Sequence, residues 1–251
     1  MTKDDVETRV PVVAGADLER EVAALVARRK AASSGLMRVI SKLGGKAEGW
    51  MGQLPDGAKA GIEQAATAGL ELSYNLAASS QGVADLGASG HKWAAVATGA
   101  AGGAGGFALT LAELPATITV MFRGVQSVAK AHGEDPTAGD TRLACLEVFS
   151  RGGPGEADDG AETGFLSVRM GAAQVVPQVI ALAAPRLAAL FGPKIVAQAV
   201  PVAGAVTGAA VNYAFMDHYQ TLAEVHFGLR KLARLHGAER VAAALAGSEG
   251  R

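Results

Sequence analysis

The chain has 251 residues, a formal net charge of -1 and 19% charged residues, which excludes a disordered polyelectrolyte and argues against a general nucleic-acid binder. Its 53 alanines and 33 glycines make up about a third of the residues, while aromatics are only 5%. A core of such small side chains gains contact by bringing helix backbones together, and that points to an all-α, multi-helix domain.

Residues 1–16 read as a disordered tail without the apolar stretch of a secretory signal, which predicts a cytoplasmic protein, at most peripheral to the inner face of the membrane. A single helical domain is expected over 17–247. Asp17 suits a helix N-cap, and Leu18, Val22, Leu25, Leu36, Val39, Ile40 and Leu43 follow at helical spacing up to Gly44 and Gly45. Arg28, Arg29, Lys30, Arg38, Lys42 and Lys46 fall within this stretch, with no acid from 28 to 46. A basic amphipathic helix suits an anionic membrane surface, because apolar burial and attraction to phosphates add; the plainer alternative is a bundle helix with a basic outer face.

Leu54-Pro55-Asp56 opens a second helix, and Asp85 to Gly90 breaks the pattern again. Residues 93–112 and 195–216 then form two uncharged runs of 20 and 22 residues. Both reach the ~20 residues that span a bilayer. They are mostly Ala, Gly, Val and Thr, and the second carries Gln198, Pro201 and Asn212, so burial inside a soluble helical domain is expected first, with insertion as a hairpin or reversible docking on a membrane as the alternatives. A Gly-rich acidic loop at 151–163 divides the chain, and the last long helix is expected to bend at Gly237.

Polar residues are conspicuous against this background. Glu113 precedes Pro115, a residue suited to a helix start, so the acid is expected just before a first turn. Arg123 is the only charge from 114 to 129 and is expected to be buried against a partner; at ~12 Å of helical rise from Pro115 to Arg123, that partner is not Glu113. Gly204, Gly208 and Asn212 share one helix face, which lets a neighbouring helix approach closely and meet Asn212. Glu113, Arg123, Asn212 and His218 are the candidate polar pocket; a buried pair that fixes helix register is the structural alternative.

The five histidines lack metal-ligand spacing, no Gly-x-Ser-x-Gly elbow is present, and Gly99 to Gly106 has neither the Lys-Ser/Thr of a P-loop nor a preceding strand. No metal and no cofactor are expected. Cys145 is a lone small apolar side chain in this reading.

Two stretches resemble the EcsC protein family. One runs from Gly102-Gly103-Ala104-Gly105-Gly106-Phe107 through Glu113-Leu114-Pro115 and Arg123 to His132-Gly133-Glu134-Asp135-Pro136 and Thr141-Arg142-Leu143; the other is Ala199 to Tyr213. Many members carry Asp where this chain has Glu113. The resemblance implies a bacterial helical protein whose family is named from a genetic neighbourhood with an ABC transporter, and it supplies no catalytic activity. The function expected is a membrane-associated accessory or scaffold protein, with an anionic membrane surface or a membrane protein as partner. The alternative is a hydrolase-type enzyme or small-ligand binder using the four-residue pocket.

Overall fold

A computed structural model describes residues 13–42, 54–78, 86–104, 106–150, 172–197 and 201–249, and every element among them is a helix. The helices are α1 (Val13–Lys42), α2 (Asp56–Ala78), α3 (Gly87–Ala104), α4 (Gly106–Ala131), α5 (Gly139–Ser150), α6 (Ala172–Ala197), α7 (Pro201–His236) and α8 (Ala238–Glu249). They pack into one all-α domain around α7, which lies against α1, α3, α4, α6 and α8.

Six aromatic residues fill one part of the core. Phe122, Phe149, Phe191, Phe215, Tyr219 and Phe227 are all fully buried. Phe149 sits between Phe122 and Tyr219, with ring centroids 6.0 and 4.6 Å apart, and Phe191 meets Phe215 edge-on at 5.1 Å. Large rings fill the space where α4, α5, α6 and the middle of α7 diverge. A smaller core of Leu18, Val22, Leu232 and Val241 joins α1 to α7 and α8.

Toward the glycine-rich end the helices close up. α3 and α4 form an antiparallel hairpin, with the Thr110 hydroxyl donating to the Gly102 carbonyl at 3.3 Å. Across α3 and α7 no bulky side chain intervenes: a Cβ on Gly99 would lie 2.3 Å from the Gly208 carbonyl oxygen. On the other side of α4, Gly69 of α2 rests against Pro115 and Ile118, where a Cβ would meet three atoms at 3.0 Å.

Three boundaries differ from the sequence reading. α1 begins at Val13, so Asp17 is not its cap but lies inside the helix, paired with Arg20 one turn on. Pro115 lies inside α4 rather than at its start. Nine helical residues precede it, and the helix accepts the loss of one backbone donor while α2 packs closely over the site. At Gly237 the chain breaks instead of bending: its φ of 91° closes α7 and α8 starts as a separate helix. Gly44, Gly45, Lys46 and the acidic loop at 151–163 lie outside the described residues.

Candidate functional site

The tight α3–α4–α7 packing encloses a polar cluster. Asn212 of α7 is fully buried, and its side-chain nitrogen points at α3 and α4. Four oxygens surround that nitrogen: the Ala95 carbonyl at 3.0 Å, the Thr98 hydroxyl at 3.3 Å, the Thr117 hydroxyl at 3.3 Å and Glu113 Oε1 at 3.4 Å. The oxygens also contact one another. Thr117, one turn after Glu113, donates to the Glu113 carboxylate, and Thr98 and Thr117 lie 3.3 Å apart. Asn212 Oδ1 is buried with no hydrogen-bond partner among the described residues.

Glycines make this geometry possible. A Cβ on Gly99 would lie 2.8 Å from the Asn212 side-chain nitrogen, and one on Gly102 would fall 2.1 Å from Glu113 Oε2. The Asn212 amide therefore reaches across α3 to α4 because Gly99, Gly102 and Gly208 leave the space.

The four-residue pocket divides. Glu113 and Asn212 meet. Arg123 is half-buried and has no hydrogen-bond or ion-pair partner among the described residues, so the partner expected for it is not found there. His218 is buried edge-on against the Tyr219 ring, with centroids 5.3 Å apart. It lies six residues beyond Asn212, about 9 Å along the helix and on a different face. Composition did not single out Thr98 and Thr117. The Glu113-x-x-x-Thr117 spacing was the available signal, since residues four apart share a helix face.

A second constellation centres on Glu134, in the turn between α4 and α5. Gly133, with φ 81°, ends α4: its N–H bonds back to Lys130 O, and the Glu134 N–H bonds to Ala129 O. Glu134 is thereby aimed at α7. Arg230 binds both its carboxylate oxygens at 2.8 and 3.0 Å, Arg234 adds a third bond at 2.5 Å, and Thr141 donates at 3.2 Å. Burial works to raise the Glu134 carboxyl, but the Arg230 bonds and charge, followed by those of Arg234, hold it below the usual glutamate range. Nearby, His132 faces Glu224 at 3.6 Å, and Arg28 of α1 reaches the same carboxylate at 3.9 Å. This network clamps the α4–α5 turn to α7. Its charges are mutually satisfied, which suits a structural role.

The basic residues of α1 are only partly visible. Arg28 and Lys30 are exposed and Arg29 is half-exposed, while for Arg38 and Lys42 only the helical backbone is described. The apolar stripe of this half of α1 is occupied: Leu18, Val22 and Val26 are buried, and Leu25 covers Gly228. The pairs Leu25–Gly228 and Arg28–Glu224 run antiparallel along α7, so the second half of α1 heads toward the glycine-rich end. Gly208 lies at the α3 crossing; Gly204 is in α7, and its surroundings are outside the described residues.

That end is apolar outside as well as tight inside. Trp93, Val206, Tyr213 and Leu109 are 72%, 73%, 46% and 47% exposed. Among the described residues of these helices from Trp93 to Ala116 and from Val206 to Tyr213, the other exposed positions, Ala97, Ala101, Ala108, Ala112, Ala116 and Ala210, are all alanine. The charged margin begins at Lys92, which bonds Asp217 at 2.6 Å and covers the Tyr213 ring at 5.6 Å. Two segments, Ala108–Ala131 and Val175–Gly192, are long and apolar enough to cross a membrane by length and composition alone. About half of each is buried in the fold, as in the core helices of many water-soluble proteins.

The EcsC protein family model matches residues 62–232. The chain belongs to the EcsC protein family. The match covers α2 through most of α7, and so includes the Asn212 cluster and the Glu134 clamp. No curated protein and no solved structure matches the chain.

Proposed function

We propose that this protein is a membrane-associated accessory protein that docks on the cytoplasmic leaflet through the uncharged end of α3, α4 and α7. The supporting observation is the outward surface of that end: Trp93, Leu109, Val206 and Tyr213 stand exposed on helices whose neighbouring outward positions are alanine. Burying a large apolar side chain contributes roughly 1.5–3 kcal/mol, so leaving four of them in water is costly.

Lipid suits this surface better than a protein partner does. The outward faces are helix surfaces of small residues, with the described charges confined to the Lys92–Asp217 margin. Trp93 and Tyr213 adjoin Lys92 and Asp217, the order of apolar body, aromatic girdle and charge favoured at a membrane–water interface. The basic second half of α1 runs toward the same end, which favours anionic headgroups.

Flotation with vesicles tests the reading. The parent is expected to float with phosphatidylglycerol-containing vesicles. The doubly substituted Trp93→Asp/Val206→Asp protein is expected to stay in the soluble fraction with its helical circular dichroism unchanged. Absence of flotation by the parent overturns membrane docking; equal flotation by both shows that the α3–α7 surface is not the contact.

A further inference from the structure

Arg123 stands at the edge of the α3–α4–α7 surface, and the α3–α4 hairpin fixes its level. Gly102 meets Thr110 and Thr98 meets Thr117, so the two helices run antiparallel with those residues side by side. Lys92 lies six residues before Thr98 and Arg123 six residues after Thr117, each about 9 Å further along its helix. Arg123 on α4 therefore shares a level with Lys92 on α3 and, through the Lys92–Asp217 bond of 2.6 Å, with Asp217 on α7. It also continues the outward face of α4. Ala112, Ala116 and Arg123 fall at i, i+4 and i+11, on one side of the helix, and both alanines are exposed.

The charge at this position is unmatched within the fold. Lys92 is taken up by Asp217, whereas Arg123 has no hydrogen-bond or ion-pair partner among the described residues. Its surroundings on the surface are apolar. α2 crosses α4 where the Ser73 and Thr119 hydroxyls lie 3.1 Å apart, one turn before Arg123, and Leu72 and Leu76 on either side of Ser73 are 45% and 40% exposed. A half-buried arginine in such a setting lays its stem along apolar surface and keeps its guanidinium at the edge. The guanidinium is a planar fork of N–H donors that matches the two free oxygens of a phosphate diester. At the edge of a lipid-facing surface the acceptors on offer are lipid phosphates, which every phospholipid carries whatever its net charge.

We propose that Arg123 is a ligand for the phosphate diester of a membrane phospholipid, held at the rim of the α3–α4–α7 surface. The inference rests on the membrane docking proposed above and adds a named contact to it. It accounts for a base on α4 with no acid to meet it: the counter-charge lies outside the chain. In this docking the bases of α1 meet the net charge of the surface, whereas Arg123 binds a phosphate, that of a zwitterionic lipid included.

Sedimentation of the full chain with vesicles tests it, using phosphatidylcholine alone and phosphatidylcholine mixed with phosphatidylglycerol. Arg123→Gln is expected to weaken binding to both on the order of tenfold, through the loss of charge-assisted hydrogen bonds. Arg123→Lys is expected to restore only part of this, since an ammonium keeps the charge but not the fork. Lys231→Gln removes an exposed charge about 21 Å further along α7 than Asp217, and is expected to leave both affinities unchanged. Without lipid, Arg123→Gln is expected to melt with the parent, because no partner within the fold is lost. If the parent binds neither vesicle, docking and the phosphate contact fall together. If Arg123→Gln binds both as the parent does, docking stands and the phosphate contact is overturned. A loss confined to the anionic vesicles also overturns it, since that shows attraction to surface charge alone. So does a lipid-free melting temperature several degrees below the parent's, which places the partner of Arg123 inside the chain.

Discussion

Gly99 of α3 and Gly208 of α7 touch backbone to backbone: a methyl group on Gly99 would fall 2.3 Å from the Gly208 carbonyl oxygen and 2.8 Å from the Asn212 amide nitrogen. The crossing is thus the condition for the polar cluster, since only with both glycines does Asn212 span α3 to reach Glu113.

Gly99→Ala is therefore expected to separate the two helices and to cost about 1–3 kcal/mol, with Gly208→Leu at or above the top of that range. For a chain of this size this is a fall in melting temperature of roughly 2–4 °C per kcal/mol. Gly247→Ala is the control. Nothing lies within 4 Å of a Cβ there, and the helical backbone of α8 accepts alanine, so stability is expected to hold or rise slightly. If Gly99→Ala and Gly247→Ala melt together, the helices are not in backbone contact.

Glu134 ties the α4–α5 turn to Arg230 and Arg234 with only 5% of its side chain exposed, so among the described residues Glu134→Ala leaves Arg230 with only the longer contact to Asp140 at 3.9 Å and Arg234 with only the His132 carbonyl. A loss of about 3 kcal/mol is expected. The pH dependence follows from the direction of its shift. The folded carboxyl lies below its ordinary 4.5, so its contribution is present above that value and is lost as pH falls through the folded value. The stability gap between parent and Glu134→Gln, read from urea melts, is expected to be widest near neutrality and to narrow in acid. A gap independent of pH would show that the carboxylate charge is not what Arg230 and Arg234 hold.

Cys145 is fully buried, and burial pushes its thiol pKa well above the ordinary value, so the sulfur stays protonated and out of reach. The native protein is expected to react with Ellman's reagent only as fast as it unfolds, with one thiol released in denaturant. Rapid labelling of the native chain at pH 8 would contradict the packing of α5.

The helical fold and the Asn212 face were legible because both rest on spacing: apolar residues at helical intervals, and Gly208 one turn before Asn212. The hydroxyls of Thr98 and Thr117 were not, because a threonine in a helix looks alike whether it faces solvent or an amide 114 or 95 residues away. Pro115 misled for a local reason. Proline favours a first turn, but the cost of one in a helix interior is met here by close packing from Gly69. The Glu134 clamp lay within the family motif, yet its partners are 96 and 100 residues on, and only the α4–α7 packing brings them together. Arg123 shows the opposite failure: isolation among apolar neighbours in sequence implied a buried partner, and the fold leaves it half-exposed without one among the described residues.

The proposed membrane docking divides between charge and apolar contact, and this gives the last prediction. The apolar stripe of the first half of α1 is committed to α7 and α8, so this part of the helix contributes charge rather than insertion. Each base near an anionic surface contributes about 1 kcal/mol, fading over a Debye length of ~8 Å in physiological salt. In the docking proposed above, the uncharged end of α3, α4 and α7 supplies a part that salt does not screen. Neutralising Arg28, Arg29, Lys30 and Lys42 together, with Arg38 and Lys46 retained, is expected to weaken binding to anionic vesicles and flatten its salt dependence while leaving the residual binding to neutral vesicles unchanged. Trp93→Asp/Val206→Asp is expected to do the reverse, removing the salt-resistant part and leaving weak adsorption that high salt abolishes. Titrations of parent and both variants against vesicles of the two compositions, at low and high salt, separate the two contributions. If the quadruple variant binds anionic vesicles as the parent does, with the same salt response, α1 is not a headgroup contact and its bases form only the solvated outer face of a bundle helix.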